Sequence, residues 1–209
     1  MKNVLIVSGH TDLQHNSFAN KIIMEDLERL LPQASFDYLD RLYPDYKIDV
    51  AAEQKKLVAA DVIVLQFPIF WYSMPSLLAK WMEDVFEHGF SHGSSGKALT
   101  GKKLLLSFTS GSPADTYAKG APQLYPVETM TTRFQQAANL CHMKYEGFVY
   151  TGGVSYSNRA DKAKLAAMAD AVDRAAHHVH VLYYQTSWDD DTAVLYEALQ
   201  RAAARGVVV

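Results

Sequence analysis

The run VIVLQF at residues 62–67 limits the fold more than any other stretch of the chain. A strand with one wet face alternates polar and apolar residues, and this run does not. Val62, Ile63, Val64 and Leu65 follow one another and Phe67 continues them, so both faces are covered, as in a parallel sheet held between helices. Val4, Leu5, Ile6 and Val7 form a second run of the same kind. Parallel neighbours need crossover connections, usually helical, and the sequence between the runs supplies them.

Taken in order, Phe18–Leu31 reads as an amphipathic helix stopped by Pro32, and Ser35–Leu39 as a weakly alternating edge strand. A turn-rich connection around Pro44 follows, then a short helix over Val50–Ala60 with Glu53, Lys55 and Lys56 on its wet side. Beyond Val62–Phe67, which Pro68 ends, come a helix over Ser76–Glu87 and a Gly/Ser-rich loop from His88 to Lys102. Lys103–Thr109 is the next strand, and a long loop leads to a helix over Val127–Leu140 and a strand over Tyr145–Thr151. A long Ala-rich helix over Ala160–Tyr184 and one more short helix in the tail complete the chain. Five strands separated by helices predict an α/β fold, a five-stranded parallel sheet with helices on both faces. The expected division is one domain over 1–187 and a helical tail over 188–209.

A chain of 209 residues buries a substantial single core. Its net charge of −3, with no Lys/Arg-rich run and no basic patch interleaved with aromatics, argues against a nucleic-acid partner. The single cysteine, Cys141, lies in an apolar run, excludes a disulfide framework within the chain and reads as a small core residue in a reducing compartment. The first strand begins at once, without a signal-peptide pattern, and no apolar run approaches the ~18 residues of a membrane span. The expected location is cytoplasmic.

In such sheets ligands bind where loops leave the carboxyl ends of the strands, and three loops do so here. The first, after Ser8, is polar and precedes a helix, which reads either as an anion site with Ser8, His10, Asn16 and Ser17 available or as an ordinary connection capped by Asn16 or Ser17. Gly9 is its only glycine, so it is neither a dinucleotide fingerprint nor a P-loop. The second, after Phe67, crowds Phe70, Trp71 and Tyr72 between Pro68 and Pro75, an aromatic wall for a flat conjugated ring. The third, after Thr109, has Ser110, Gly111 and Ser112 for close approach of a ligand, and Tyr117 to offer a hydroxyl.

SGH followed by NSF, then QFPIFWYSMPSLLAKWMEDVF, then SFTSGSPADTY, resemble the NAD(P)H:quinone oxidoreductases of the flavodoxin-like superfamily. Within them the chain is most similar to the bacterial NAD(P)H oxidoreductases that include the ancillary subunit of glutathione-gated potassium efflux. The resemblance runs from about Lys2 to Tyr184. It implies a flavodoxin-like three-layer α/β/α sandwich with sheet order 2-1-3-4-5, a tightly bound flavin and a homodimer. Carried over by motif, His10, Ser17 and Phe18 would contact the phosphate and ribityl chain. Pro68, Ile69, Phe70, Trp71 and Tyr72 would line the flavin ring. Thr109, Ser110, Gly111 and Tyr117 would bind its other edge. The resemblance implies FAD where extra segments bind an adenine and FMN in shorter relatives; the single-glycine loop suits one phosphate as readily as a pyrophosphate, and FMN is favoured slightly. The chain departs from the family at two points. Ser112 stands where a second consecutive glycine is common. The histidine that longer relatives carry a few residues beyond the tyrosine is missing from Ala118–Pro126, so proton transfer falls to Tyr117, water or stabilisation at flavin N1.

The resemblance implies an oxidoreductase in which NAD(P)H delivers a hydride to flavin N5 and two electrons pass on to a quinone-like acceptor, with Tyr117 as the catalytic residue. One pocket serving both substrates gives ping-pong alternation. Two other readings stand beside it: a flavin-binding regulatory subunit that docks on a membrane transporter through the tail from Trp188, and a flavodoxin-type electron carrier, which would have a strongly acidic surface. The eight histidines show no zinc-binding spacing.

Overall fold

The computed structural model describes residues 2–17, 19–154 and 193–206. Phe18, the helix expected over 160–184, and the side chains of His177, His180 and Asp189–Asp191 lie outside the described residues. The chain divides into two compact units, Met1–Gly153 and Val154–Val209.

The first unit is built on five parallel strands: β1 Val4–Ser8, β2 Ser35–Tyr38, β3 Val62–Pro68, β4 Lys103–Thr109 and β5 Lys144–Thr151, in the order β2-β1-β3-β4-β5. β3 lies in the middle and is buried on both faces, as its unbroken apolar run requires. On one face Ile6 and Val64 pack with Leu13 and with Met24 of helix α1 (Ala19–Leu30). On the other, Leu65, Phe67, Leu106 and Phe108 pack under helices α3 (Val50–Ala59), α4 (Ser76–Val85) and α5 (Thr132–Leu140) through Leu57, Leu77, Trp81 and Phe134. The result is a helix/sheet/helix sandwich. In the second unit a helix, α6 (Ala193–Ala204), buries Ala198 and Ala202, four residues apart on one stripe.

Three expectations change. The turn-rich connection after β2 contains one helical turn, α2 (Leu39–Leu42). The helix expected from Val127 begins as a 3-10 segment over Val127–Thr131, entered from Pro126. The largest correction concerns α3, where Glu53 is wholly buried and Lys56 half-buried, while Lys55 alone faces water. Charged residues are buried when partners satisfy them, and these come from elsewhere in the chain. Glu53 accepts from Tyr43 Oη at 2.6 Å, Trp81 Nε1 at 2.8 Å and Lys56 Nζ at 2.6 Å. Lys56 also reaches both oxygens of Asp37 on β2, at 2.9 Å each.

This cluster has a pH signature. Burial pushes the Asp37 carboxyl up, the Lys56 hydrogen bond opposes it, and the outcome is a value of about 6. Burial also pushes Glu53 up, but hydrogen bonds from Lys56, Tyr43 and Trp81 outweigh it and hold that carboxyl below its ordinary value. A folded-state value above the unfolded one means that the folded chain takes up the Asp37 proton first as the pH falls. Stability contributed by this group therefore rises as the pH drops from about 6 towards 4, and the Glu53 contribution is lost below that window. The urea midpoint of wild type relative to Asp37→Asn is expected to increase between pH 7 and about 5. A difference that stays flat across that range would show that the Asp37 carboxyl is not perturbed.

Candidate functional site

The three loops meet at the carboxyl edge of the sheet. At the start of the first, Gly9 N donates to Gln66 O at 2.8 Å, tying the loop to β3. A Cβ on Gly9 would stand 2.7 Å from Leu78 Cδ2 and 2.8 Å from Leu78 Cβ, so α4 packs directly on the backbone here, and glycine is what permits it. His10 follows, 1% exposed. Its Nδ1 accepts from Asp12 N at 3.0 Å, which leaves the ring hydrogen on Nε2 in the neutral form. Burial lowers its pKa, against the raising influence of Asp40 and Asp12, so the neutral donor is favoured. Asp40 also anchors the loop by accepting from Leu13 N at 2.7 Å. Ser17 Oγ accepts from Lys21 N at 3.3 Å, leaving its own hydrogen to donate outward.

The second loop turns sharply. Phe70 and Ser73 exchange backbone hydrogen bonds at 2.9 and 3.0 Å, and the two central residues, Trp71 and Tyr72, have φ of 50° and 62°. This is the left-handed pair of a type I′ turn, a conformation that glycine and asparagine favour and aromatic residues resist, at a cost on the order of 1–2 kcal/mol each. Trp71 is 94% exposed and Tyr72 60%. Phe67, by contrast, is a core residue stacked on Phe108 with centroids 5.7 Å apart. Pro68 is buried as the last residue of β3, and the Phe70 ring meets His10 edge-on at 5.6 Å, joining the first loop to the second.

The third loop is bound to the second by Ile69 N donating to Thr109 O at 2.7 Å and to β5 by Ser110 N donating to Thr151 O at 3.0 Å. Ser110 Oγ donates to Ser112 O at 2.8 Å and lies 2.7 Å from Tyr150 Oη. Its one hydrogen being committed, the Tyr150 phenol is the donor of that pair. Thr109 Oγ1 donates to Asn20 Oδ1 at 3.2 Å. The hydroxyls of Thr109 and Ser110 therefore brace the loop, as do Thr109 O and Ser110 N, and both residues are buried. Tyr117 is buried, with its ring edge-on to Tyr150 at 6.1 Å.

Ile69, Trp71, Tyr72, Ser110, Gly111 and Tyr117 together line one open cavity of about 240 Å³. Ser112 and Gln123 complete its wall. His10, Ser17, Pro68, Phe70 and Thr109 are not in that lining; they form its supports and the first loop beside it. Phe18 lies outside the described residues. Sequence reasoning missed Asn20, whose Oδ1 also accepts from Gln66 Nε2 at 2.7 Å and so bridges α1, β3 and β4. A signal was present: Asn20 sits at the head of the buried stripe Asn20, Ile23, Met24, and Gln66 interrupts an otherwise apolar strand. Ser8 and Gln66 are paired across β1 and β3, and Ser8 Oγ and Gln66 Oε1 are buried without a partner among the described residues. No group of three or more His, Cys, Asp or Glu side chains gathers among the described residues to hold a metal.

Residues 2–176 match the Flavodoxin_2 family, whose description is a flavodoxin-like fold. The chain belongs to that family. Its relatives include general stress protein 14 of Bacillus subtilis, 37% identical over 158 residues, which span 76% of this chain and 89% of that protein. Among solved structures it is similar to general stress protein 14 of Treponema denticola in complex with FMN, with a TM-score of 0.69 at 24% identity over 97% of this chain and 99% of that one. It is also similar to an NADPH-quinone reductase from P. pentosaceus, with a TM-score of 0.65 at 27% identity over 73% of this chain and 86% of that one. The sheet order and the three-loop edge are what the family fold provides.

The residues present suit a flavin mononucleotide. The first loop offers Nε2–H of His10 and the Ser17 hydroxyl ahead of the N-terminus of α1, donors suited to a single phosphate. The cavity offers aromatic and small-residue walls to a flat ring. Among the described residues no helix is long and apolar enough to cross a membrane.

Proposed function

We propose that this protein is an FMN-dependent NAD(P)H oxidoreductase that passes two electrons to a quinone-like acceptor, with both substrates using one pocket in turn. The observation that carries the reading is one open cavity at the carboxyl edge of the sheet, lined by the aromatic turn and the Ser110–Tyr117 loop, with the polar first loop joined to that turn through the His10–Phe70 ring contact. The FMN complex of the Treponema denticola relative and the NADPH-quinone reductase from P. pentosaceus support the choice of cofactor and reaction.

When bound, the flavin supplies the two-electron redox chemistry; the protein's part is to hold the ring, tune it and shape access to it. His10 and Ser17 would donate to the phosphate and ribityl oxygens. Ile69, Trp71 and Tyr72 flank the ring from the strained turn, which the bonds to Thr109 and Ser73 keep in place. Ser110 and Gly111 would line its opposite edge, with Thr109 holding their loop to the second one. Tyr117, fixed against Tyr150, directs its hydroxyl to the polar rim of the ring or to the acceptor carbonyl. The second substrate approaches over the exposed Trp71 and Tyr72. Trp71 and Tyr72 at the pocket are exposed, as are Leu124 and Tyr125 next in sequence to its Gln123 wall, and this apolar surface supports a homodimer in which a second copy covers it. The domain runs to about residue 187 and α6 belongs to an appended tail; the family match over residues 2–176 leaves α6 out.

The test is spectroscopic. The purified protein is expected to be yellow, to release FMN on heating, to bleach with NADPH or NADH under anaerobic conditions and to recolour with a quinone. Failure to bleach at millimolar nucleotide would overturn the enzyme reading.

A further inference from the structure

Among the described residues lining the cavity none is a histidine, carboxylate, lysine, arginine or cysteine, and Gln123 alone brings an amide. It is held firmly. Its N–H donates to Thr116 O at 3.1 Å, its carbonyl accepts from Tyr125 N at 2.7 Å, and Leu124 turns the chain at φ 64°. Its side chain bonds Ser112 through Nε2 and Oγ at 3.0 Å, and Ser112 O in turn receives Ser110 Oγ and Gly153 N. One end of the amide is thus fixed to the loop that braces the cavity. An amide has two N–H donors and a carbonyl acceptor, so this bond leaves hydrogen-bonding capacity to spare. It holds its donors and acceptor unchanged across the whole physiological pH range. The described lining residues hold no cation to pair with an anionic acceptor, so the carbonyl compound they suit is neutral.

We propose that Gln123 is the specificity-determining residue for the oxidising substrate, donating an amide N–H to a carbonyl oxygen of a neutral quinone while taking no part in proton transfer. The inference rests on the proposed function. Reduction of a quinone to its hydroquinone takes up two electrons and two protons; the nicotinamide nucleotide supplies the electron pair and one proton, and solvent water the other. Gln123 orients the carbonyl that receives them. A site built to hydrogen-bond a substrate group discriminates against the analogue lacking it, because its own polar atoms are then left unpaired.

The experiment compares binding of menadione with that of methylnaphthalene, the same ring skeleton without carbonyls, to the oxidised FMN-loaded protein, where no turnover occurs. Isothermal calorimetry gives both affinities, and FMN uptake reports that each variant is folded. Gln123→Leu is expected to lower the preference for menadione about tenfold. Gln123→His, which keeps an N–H donor, retains the preference and introduces a bend near pH 6–7 in the menadione reduction rate, where the wild type is flat. A menadione to methylnaphthalene ratio that Gln123→Leu leaves unchanged overturns the role of Gln123, even if the protein is a functioning quinone reductase. Absence of FMN uptake or of bleaching by NAD(P)H in the wild type overturns the proposed function instead, and with it this inference.

Discussion

Glu53→Ala is expected to destabilise the fold by about 3–5 kcal/mol, the scale for breaking a buried ion pair by removing one partner. The Glu53 side chain has no exposure and is the meeting point of three donors: the Tyr43 hydroxyl from the connection after α2, the Trp81 indole N–H from α4 and the Lys56 ammonium from its own helix. Without it Lys56 keeps Asp37 alone, and two buried donors are left with no acceptor. Glu53→Gln preserves the volume and one acceptor oxygen, so it should fall between wild type and alanine. Urea denaturation of the three proteins checks the order. Equal midpoints for wild type and alanine would mean that the cluster is hydrated in solution and that α3 does not depend on it.

His10→Ala is expected to weaken FMN binding about 10- to 100-fold, the scale of one hydrogen bond to a charged group. The substitution also deletes the acceptor for Asp12 N, so His10→Asn is the sharper probe. Asparagine places an oxygen near the position of Nδ1 and can keep the turn, but it has nothing where Nε2 donates. If both variants lose affinity alike, the Nε2 donor is what the phosphate or ribityl chain uses. Binding by His10→Asn within twofold of wild type would reduce His10 to a brace for the loop. Quenching of FMN fluorescence by the apoprotein measures each case.

The strands were legible because each is a local pattern. Lys103–Thr109 is read from sequence at the same boundaries as in the structure, and β3 announces its central place by lacking alternation. The three loops were legible for the same reason: polar, aromatic and small residues cluster where periodicity stops. The I′ turn at Trp71–Tyr72 was not, because residue preferences point away from aromatics at positive φ, and the surrounding bonds to Ser73 and Thr109 impose it. The braces were hidden too. Thr109 and Ser110 look like ligand donors in sequence, and their hydroxyls are committed to Asn20 and Ser112.

The sequence by itself determined the class of sheet, the three loops that leave its carboxyl edge and the residue types each of them carries. All of these follow from periodicity and composition over spans of a few residues. Only the tertiary structure decided which polar side chains are inside and with whom. Glu53 finds Trp81 28 residues away, Gln66 finds Asn20 46 residues away, and Thr109 reaches that same amide across 89. Whether a charge or an amide is a wet surface or a buried hinge of the site depends on such partners. Chain folding supplies them, and no local pattern records them.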